Sequence, residues 1–394
     1  MTYPIHAWRQ AWRVDAVMGL HRGLAGRLAV SHHDGDTRSE RVGLKHQRKT
    51  AMEWFIGIDV SLEQSSVCVL DAGGKIMREA KIASEPEALV AFCRALELPV
   101  TRIGLEAGPL SQWLHAGLTS AGFETVLLET RQVKAALSAM VVKTDRKDAR
   151  GIAHLLRMGW YRPVHCKSVP AQEVRALLAG RKLLLGKLRD VELSMRGLLR
   201  GFGLKVGEVS KGRLEARIRE LIAGHPMLEQ VIQPLLRARE VLNQQYHVLH
   251  RAMLNLVRHD AVCRRLMTVP GVGALVAITF TSAVDDPTRF SRARAVGAHF
   301  GLTPKRYQSG ETDVVGTISK AGDEAARTAL YQAAHTMLTC PGRYSSLKRW
   351  GMEVARRRGL KRATVALARK LSVVLLRIWT SESEFRFDRP VAAV

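Results

Sequence analysis

The chain has few cysteines, and they are scattered. Its 394 residues contain five, Cys68, Cys93, Cys166, Cys263 and Cys340, an odd number with no paired spacing. This pattern excludes a disulfide scaffold and offers no zinc-ligand spacing. We therefore expect free thiols in a reducing, cytoplasmic compartment.

Long hydrophobic runs are also missing. The longest, Val269 to Val284, is interrupted by Pro270, Gly271 and Gly273. It falls short of the ~20 apolar residues that a membrane-spanning helix needs. We interpret this run as part of a protein core and expect no membrane partner.

Acidic residues are scarce relative to basic ones. The chain has 61 Lys and Arg against 36 Asp and Glu, a net charge of +25, with an ordinary hydrophobic content of 46%. Such a balance is typical of a folded protein with a basic surface, and it favours a polyanionic partner such as DNA or RNA. At ~100 to 200 residues per domain, two or three domains are expected.

Residues 1–51 differ from the rest of the chain. They are rich in histidine and show no sustained period of 2 or 3.6 residues, whereas Met52 directly precedes the first clear strand pattern. We expect a poorly ordered, dispensable extension, as would arise from a start codon assigned too early.

Residues 52–163 alternate between strand and helix patterns. The predicted strands are Trp54 to Val60, Ser65 to Asp71, Lys75 to Lys81, Thr101 to Glu106 and Glu124 to Glu129, and the predicted helices are Glu85 to Leu98, Leu110 to Ala121, Gln132 to Met140 and Asp145 to Met158. The first three strands are joined by tight turns and predict an antiparallel meander. The order βββαβαβα is that of a ribonuclease H-like α/β domain.

Residues 164–260 carry a helical pattern. Leucines recur every seven residues at Leu228, Leu235, Leu242, Leu249 and Leu256. Such heptads predict long helices that pair as a coiled coil, within one chain or between chains. A helical hairpin packed on its own domain is the alternative.

Residues 261–383 are predicted to form a mainly helical domain, followed by a tail at 384–394. Val269 to Gly273 looks like a helix-hairpin-helix turn, whose backbone N–H groups bind a phosphate, although the same turn can simply reverse two helices. Between Arg343 and Lys370, ten Lys and Arg face a single acid, Glu353. We interpret this stretch as a phosphate-contacting face.

Four carboxylates stand out. Asp59 lies in an apolar strand, where an unpaired charge is costly, and Glu106 ends a later strand. Asp145 and Asp148 are three residues apart and share one side of the helix that they begin. Each alone has a simple structural reading, such as a helix cap or a turn. Together they could hold two divalent metals ~4 Å apart, the arrangement that serves phosphoryl transfer.

Ser309 lies in a glycine-flanked loop among basic residues. Nearby cations could stabilise the charge that develops when a hydroxyl attacks a phosphate. Taken by itself, this position is better interpreted as a turn serine.

Taken together, these motifs resemble those of a known family. The sequence is similar to the DEDD transposases of bacterial insertion sequences, relatives of the pilin-gene inverting recombinases, a group of bridge-RNA-guided serine recombinases. The resemblance spans Met52 to Trp379. The motifs that carry it are Gly57 to Ser61, Leu105 to Ala107, Lys143 to Ala149, Val269 to Gly273, Gly301 to Pro304, Gln308 to Gly310 and Ile318 to Asp323.

The resemblance implies specific roles. Asp59, Glu106, Asp145 and Asp148 would bind Mg²⁺, with two ions expected, in a Holliday-junction-resolvase-like domain, and Ser309 would attack DNA. A non-coding RNA of the element would pair with element-end and target DNA, and the protein would self-associate as a dimer or tetramer. Residues expected to contact nucleic acid are Lys143, Arg146, Lys147, Gly271, Gly273, Lys305, Arg306, Lys320, Arg327, Arg356, Arg357, Arg358, Lys361 and Arg362.

Two other function classes stay open. A junction-resolving, metal-dependent endonuclease would need the four acids but would have no use for Ser309 or for residues 261–380. An actin-like kinase or ATPase would account for Gly57 to Asp59, which resembles a phosphate loop. It would not account for the net charge of +25 or for the close pair Asp145 and Asp148.

Overall fold

The computed structural model describes residues 53–387 except residues 139 and 141. These residues belong to one compact unit. The extension expected at 1–51 lies outside the described residues, as does most of the tail expected at 384–394.

The amino-terminal part contains a six-stranded mixed sheet. Its strands are β1 (Trp54–Asp59), β2 (Gln64–Asp71), β3 (Ile76–Ala83), β4 (Val100–Glu106), β5 (Thr125–Leu128) and β6 (Pro163–Val164). Their spatial order is β3-β2-β1-β4-β5-β6. The first three strands form an antiparallel meander, while β1, β4 and β5 run parallel. The predicted meander and element order are confirmed, and the two-residue β6 was not predicted.

Helices cover both faces of this sheet. They are α1 (Pro86–Arg94), α2 (Ser111–Ser120), α3 (Thr130–Leu137) and α4 (Asp145–Arg157). On β1 the side chains of Trp54, Ile56 and Ile58 belong to the core that includes α1 and α2, whereas Phe55 packs with α4. Because side chains alternate along a strand, this pattern places Gly57 and Asp59 on the α4 face.

The middle region is a long helical hairpin. It consists of α5 (Val169–Arg200), α6 (Leu214–Ile222) and α7 (Pro226–His259). The two long helices run antiparallel. Arg239 on α7 pairs with Glu192 on α5, and Arg181, earlier on α5, donates a hydrogen bond to Tyr246, later on α7. α5 and α7 thus pair within one chain. Of the heptad leucines, Leu228 and Leu235 pack into this region, whereas Leu256 is exposed. The short α6 was not predicted.

The carboxy-terminal part is mainly helical, as predicted. Its helices are α8 (Ala261–Leu266), α9 (Ala274–Val284), α10 (Ala295–His299), α11 (Glu324–Thr339), α12 (Ser346–Arg358) and α13 (Leu360–Thr380). Most of α9 and α13 is buried, and both contribute to the largest core. Two strands, β7 (Pro304–Ser309) and β8 (Thr312–Ile318), form an exposed hairpin that the sequence did not predict.

Within the described part of the chain, no helix is both long enough and apolar enough to cross a membrane.

Candidate active site

The strand register places two predicted carboxylates side by side. Parallel strands β1 and β4 pair Gly57 with Gly104 and Ile58 with Leu105. One step further along, Asp59 ends β1 and Glu106 ends β4. Both side chains are half-buried at the same edge of the sheet.

Glycines let helix α4 approach this edge closely. A Cβ on Gly57 would lie 2.2 Å from the carbonyl oxygen of Ala149, and a Cβ on Gly104 would lie 2.6 Å from Cδ1 of Leu156. Because the atoms that a Cβ on Gly57 would meet belong to the backbone of α4, a larger residue there would hold the helix away from the strand. The two glycines face α4, so Asp59 and Glu106, each two residues further along its strand, face the same helix.

Helix α4 brings the other two carboxylates. Thr144 is its N-cap, with a side chain that accepts a hydrogen bond from the backbone N–H of Lys147 at 3.3 Å. Asp145 is therefore the first helical residue and not the cap. Asp145 and Asp148 both lie in the first turn, where carboxylates interact favourably with the helix dipole.

The four carboxylates influence one another electrostatically. Burial, followed by the negative charges of Asp148, Asp145 and Glu106, raises the pKa of Asp59 to about 6. Burial likewise raises the pKa of Glu106. The opposing cation is Lys143, whose Nζ lies 3.6 Å from Oδ2 of Asp148.

These residues fit a divalent cation by their chemistry. In the described part of the chain, no three His, Cys, Asp or Glu side chains are oriented so as to share one ion. The four carboxylates are nevertheless all-oxygen donors of the kind that Mg²⁺ prefers, and their mutual repulsion is what such an ion would relieve.

Ser309 lies at the end of β7, next to the tip of the exposed hairpin. It pairs with Thr312 across a two-residue turn, and Gly310 has the φ of +53° that suits the first turn position. The Ser309 side chain is exposed and has no hydrogen-bond partner among the described residues. The structure thus brings the four carboxylates together and does not bring Ser309 into contact with them.

The base of the hairpin is tightly built. Glycines allow two segments to cross, because a Cβ on Gly301 would lie 2.3 Å from the backbone nitrogen of Ala321 and one on Gly322 would lie 2.0 Å from the carbonyl oxygen of His299. Arg327 donates to the carbonyls of Phe300 at 3.2 Å and of Ala321 at 2.9 Å. These contacts fix where the hairpin leaves the domain.

Comparison with known proteins supports this division of the chain. A family model described as "Transposase IS116/IS110/IS902 family" matches residues 263–349, and a second, a transposase model of the IS110 DEDD type, matches residues 56–203. The two matches contain the Ser309 hairpin and the four carboxylates, respectively. The two matches support an IS110/IS116-family DEDD transposase.

Two bacterial transposases agree with this assignment. The chain is 27% identical over 363 residues to the transposase for insertion sequence element IS1111A of Coxiella burnetii, covering 89% of this chain and 96% of that protein. It is 22% identical over 286 residues to the transposase for insertion sequence element IS1328 of Yersinia enterocolitica, covering 72% of this chain and 84% of that one. A Thermus thermophilus RuvC structure aligns with 15% identity and a TM-score of 0.22, covering 28% of this chain and 99% of that one.

Several cations expected to contact nucleic acid in this transposase have partners within the fold. Arg146 pairs with Glu79, Arg306 pairs with Asp313, and Arg327 holds the two carbonyls at the hairpin base. Lys320 adopts the left-handed conformation, with φ +53°, and its backbone carbonyl accepts a hydrogen bond from Arg131. Lys143 and Lys305, which belong to the same predicted set, are exposed.

The basic carboxy-terminal stretch is divided between surface and core. The exposed cations at the end of α12 and the start of α13 are Arg356, Arg357, Arg358, Lys361 and Arg362. Lys370, by contrast, is buried with its Nζ 4.1 Å from the Trp350 ring centroid. Within this stretch, the α12–α13 junction carries the densest group of exposed cations, and Arg343 and Arg349 are exposed as well.

The glycine-containing turn before α9 has a packing role. Gly271 has φ +82°, and a Cβ there would lie 2.4 Å from the carbonyl oxygen of Ala333 on α11. Packing against α11 therefore explains Gly271. Gly273 is exposed and caps α9, so of the two glycines it is the one open to a ligand.

Sequence reasoning missed residues that support the site. Glu79 on β3 holds two arginines of α4, and Arg131 on α3 contacts the hairpin base. For the contact of Glu79 with Arg146 and Arg150, the only sequence signal was the spacing of the two arginines, which are four residues apart on the predicted helix. Nothing in the sequence pointed to Arg131.

Proposed function

We propose that this transposase cuts and rejoins DNA at the ends of an insertion sequence, using the four carboxylates and the hydroxyl of Ser309. The supporting observation is the convergence of Asp59, Glu106, Asp145 and Asp148 from two strands and one helix. A carboxylate cluster of this kind in a strongly basic protein is suited to phosphodiester chemistry.

In this proposal, a divalent cation, expected to be Mg²⁺, would neutralise negative charge on the scissile phosphate. The side chains of the protein bind the cation and the DNA. Asp59, Glu106, Asp145 and Asp148 would hold the cation. Lys143, which lies beside Asp148, would contact a phosphate oxygen.

Ser309 acts as the nucleophile. Its Oγ forms a bond to phosphorus as the bond from phosphorus to one deoxyribose oxygen breaks. The serine hydroxyl gives up its proton, and the departing deoxyribose oxygen takes one. The resulting phosphoserine link conserves the bond energy, so attack by another DNA hydroxyl rejoins the strand and releases Ser309.

The hairpin must meet a carboxylate site for this reaction to occur. Its residues are exposed along almost its whole length, and Ser309 is beside the tip. We propose that assembly on DNA, as a dimer or tetramer, completes the active centre, and that the hairpin reaches the site of its own chain or of another copy.

DNA and RNA binding complete the proposal. The exposed cations at the α12–α13 junction, together with Lys305 on β7, supply contacts to phosphate backbones, which carry no sequence information. The element ends and the target would be selected by base pairing of the DNA with an RNA that the element encodes, as the family resemblance implies.

A junction-resolving endonuclease is the second candidate. It is favoured by the absence of any contact, in the described residues, between Ser309 and the carboxylates. In that case water attacks the phosphate directly and no covalent protein–DNA link forms.

Strand cleavage on element-end DNA tests the carboxylate site. Asp59→Ala should lose cleavage at every Mg²⁺ concentration. Asp190→Asn, which changes an exposed carboxylate on α5 paired with Lys187, should retain it. Normal, metal-dependent cleavage by Asp59→Ala would contradict the proposed site.

A further inference from the structure

One carboxylate on the edge strand of the sheet binds two arginines of the helix that carries Asp145 and Asp148. Glu79 on β3 accepts hydrogen bonds from Nε of Arg146 at 2.6 Å and from Nη2 of Arg150 at 2.8 Å. Nε of Arg150 also donates to the other Glu79 oxygen. The Glu79 side chain is only 11% exposed.

Charge keeps this contact intact at neutral pH. The hydrogen bonds from Arg150 and Arg146 lower the pKa of Glu79 to about 2. The carboxylate is therefore ionised, and two forked guanidinium groups share it. Contacts of this type are directional, because each guanidinium must lie close to the plane of the carboxylate.

The arginines and the candidate metal ligands lie on different sides of α4. Arg146 and Arg150 are four residues apart, and Asp145 and Asp148 are three apart. At 3.6 residues per turn, the two pairs point about 150° apart around the helix axis. Fixing one pair therefore fixes the direction of the other.

The large apolar contacts of α4 lie further along the helix, where Ile152, Leu155 and Leu156 pack with Phe55, Leu128 and Val133. Nearer its start, α4 meets β1 through Ala149 and Ala153 against Gly57, which have no long side chains to interlock. The backbone just before α4 is not helical between Ser138 and Thr144 where the structure describes it. A directional restraint on the first turns of α4 thus has to come from elsewhere.

We propose that Glu79 is a positioning residue for the carboxylate site. By holding two arginines on one side of α4, it sets the orientation of the first turns of the helix, and that orientation aims Asp145 and Asp148 at Asp59. This inference rests on the proposed function of the four carboxylates.

Binding of Mn²⁺ alone to the full-length protein, followed by electron paramagnetic resonance, tests the proposal without any catalytic readout. Glu79→Gln keeps the shape of the side chain and removes its charge. We expect it to bind Mn²⁺ about tenfold more weakly than the wild type, the lower end of the range for groups that orient metal ligands. Circular dichroism confirms that each variant is folded at the temperature of the titration.

Glu124→Gln is the matched control. Glu124 pairs with Arg102 at 2.6 Å on the same sheet but has no contact with α4. It should bind Mn²⁺ like the wild type. A loss in Glu124→Gln equal to that in Glu79→Gln would overturn the proposal, because a general loss of stability would then explain both.

Two further variants separate orientation from charge. Arg150→Lys keeps the charge but lacks the fork, so it should also weaken Mn²⁺ binding. Glu79→Gln combined with Arg146→Gln restores the wild-type net charge and should remain weak. Recovery of wild-type affinity in this double variant would overturn the positioning role, since charge balance alone would then account for the effect.

The same titrations keep the two claims apart. Equal Mn²⁺ binding by the wild type and Asp59→Ala would contradict the proposed carboxylate site itself. If Asp59→Ala fails to bind while Glu79→Gln binds as tightly as the wild type, the site stands and only the role of Glu79 is overturned.

Discussion

The guanidinium of Arg131 donates a hydrogen bond to the backbone carbonyl of Lys320, with 3.2 Å between Nη2 and the oxygen. Arg131 follows Thr130, whose hydroxyl binds the carbonyl of Ala107 next to Glu106. Lys320 lies at the base of the hairpin that carries Ser309. The carboxylate site and the hairpin base are therefore adjacent within one chain, although the hairpin tip projects into solvent.

Arg131→Ala should reduce strand cleavage without affecting Mn²⁺ binding. A single exposed hydrogen bond contributes ~0.5–1.5 kcal/mol, which corresponds to about a two- to tenfold loss of rate. Lys134→Ala, an exposed residue of the same helix, is the control. An unchanged rate in Arg131→Ala would show that the contact does not help to place the hairpin.

Self-association is expected to use the outer face of α7. Leu249 faces α5, where it lies 3.4 Å from the Cβ position of Gly180, so a polar substitution at Leu249 would disrupt the hairpin itself. Val241 and Val248 are 56% and 48% exposed and are seven residues apart. Replacing both valines with Asp should lower the molar mass measured by light scattering and leave the melting temperature nearly unchanged. An unchanged mass would place any self-association on another surface.

The pH dependence of stability should report on His299. Its Nε2 lies 2.7 Å from an Nη2 of Arg289, so this nitrogen accepts the hydrogen bond and His299 is neutral. Burial, and then the charges of Arg289 and Lys167, lower the pKa of His299 to about 4. Between pH 6.5 and 4 the unfolded chain therefore binds more protons than the folded one, and stability falls as the pH is lowered.

His299→Gln provides the measurement, since Gln can still accept from Arg289 but does not titrate. Urea unfolding at several pH values should show a shallower loss of stability below pH 6.5 in this variant than in the wild type. Identical pH profiles would mean that other groups cause the acid sensitivity.

The close approach of α4 should depend on Gly57. Adding a methyl group 2.2 Å from the carbonyl oxygen of Ala149 forces the helix outward. We expect Gly57→Ala to cost ~1–3 kcal/mol of unfolding free energy, as overpacking does, and to weaken Mn²⁺ binding. Gly186→Ala, in helix α5 with open space around it, should be neutral or stabilising. Equal stability of Gly57→Ala and the wild type would contradict the packing argument.

The strands and carboxylates could be predicted because their signals are local. The apolar run of β1 and the turns after it define a meander, and Asp59 stands out where a charge is costly. The contact of Glu79 with Arg150 could not be predicted, since it joins residues 71 positions apart whose types are common on any surface.

Two other features escaped prediction for physical reasons. The β7–β8 hairpin is exposed on both faces, so it carries no alternation of apolar and polar residues. The heptads of α7 predict a helical partner but cannot specify which chain supplies it, because the same apolar face can pack on a helix of its own chain or of another copy.

Trapping of a covalent protein–DNA link tests the central claim most directly. Labelled element-end DNA incubated with the protein and Mg²⁺, then separated under denaturing conditions and mapped by mass spectrometry, should yield a phosphoserine adduct at Ser309. Ser309→Ala should bind DNA and form no adduct, whereas Thr312→Ala, the hydroxyl paired with Ser309 across the turn, should form it. Restored adduct formation on mixing Ser309→Ala with Asp59→Ala would assign the two halves of the site to different subunits. Normal strand cleavage by Ser309→Ala, with no adduct in the wild type, would contradict the account and favour direct attack by water.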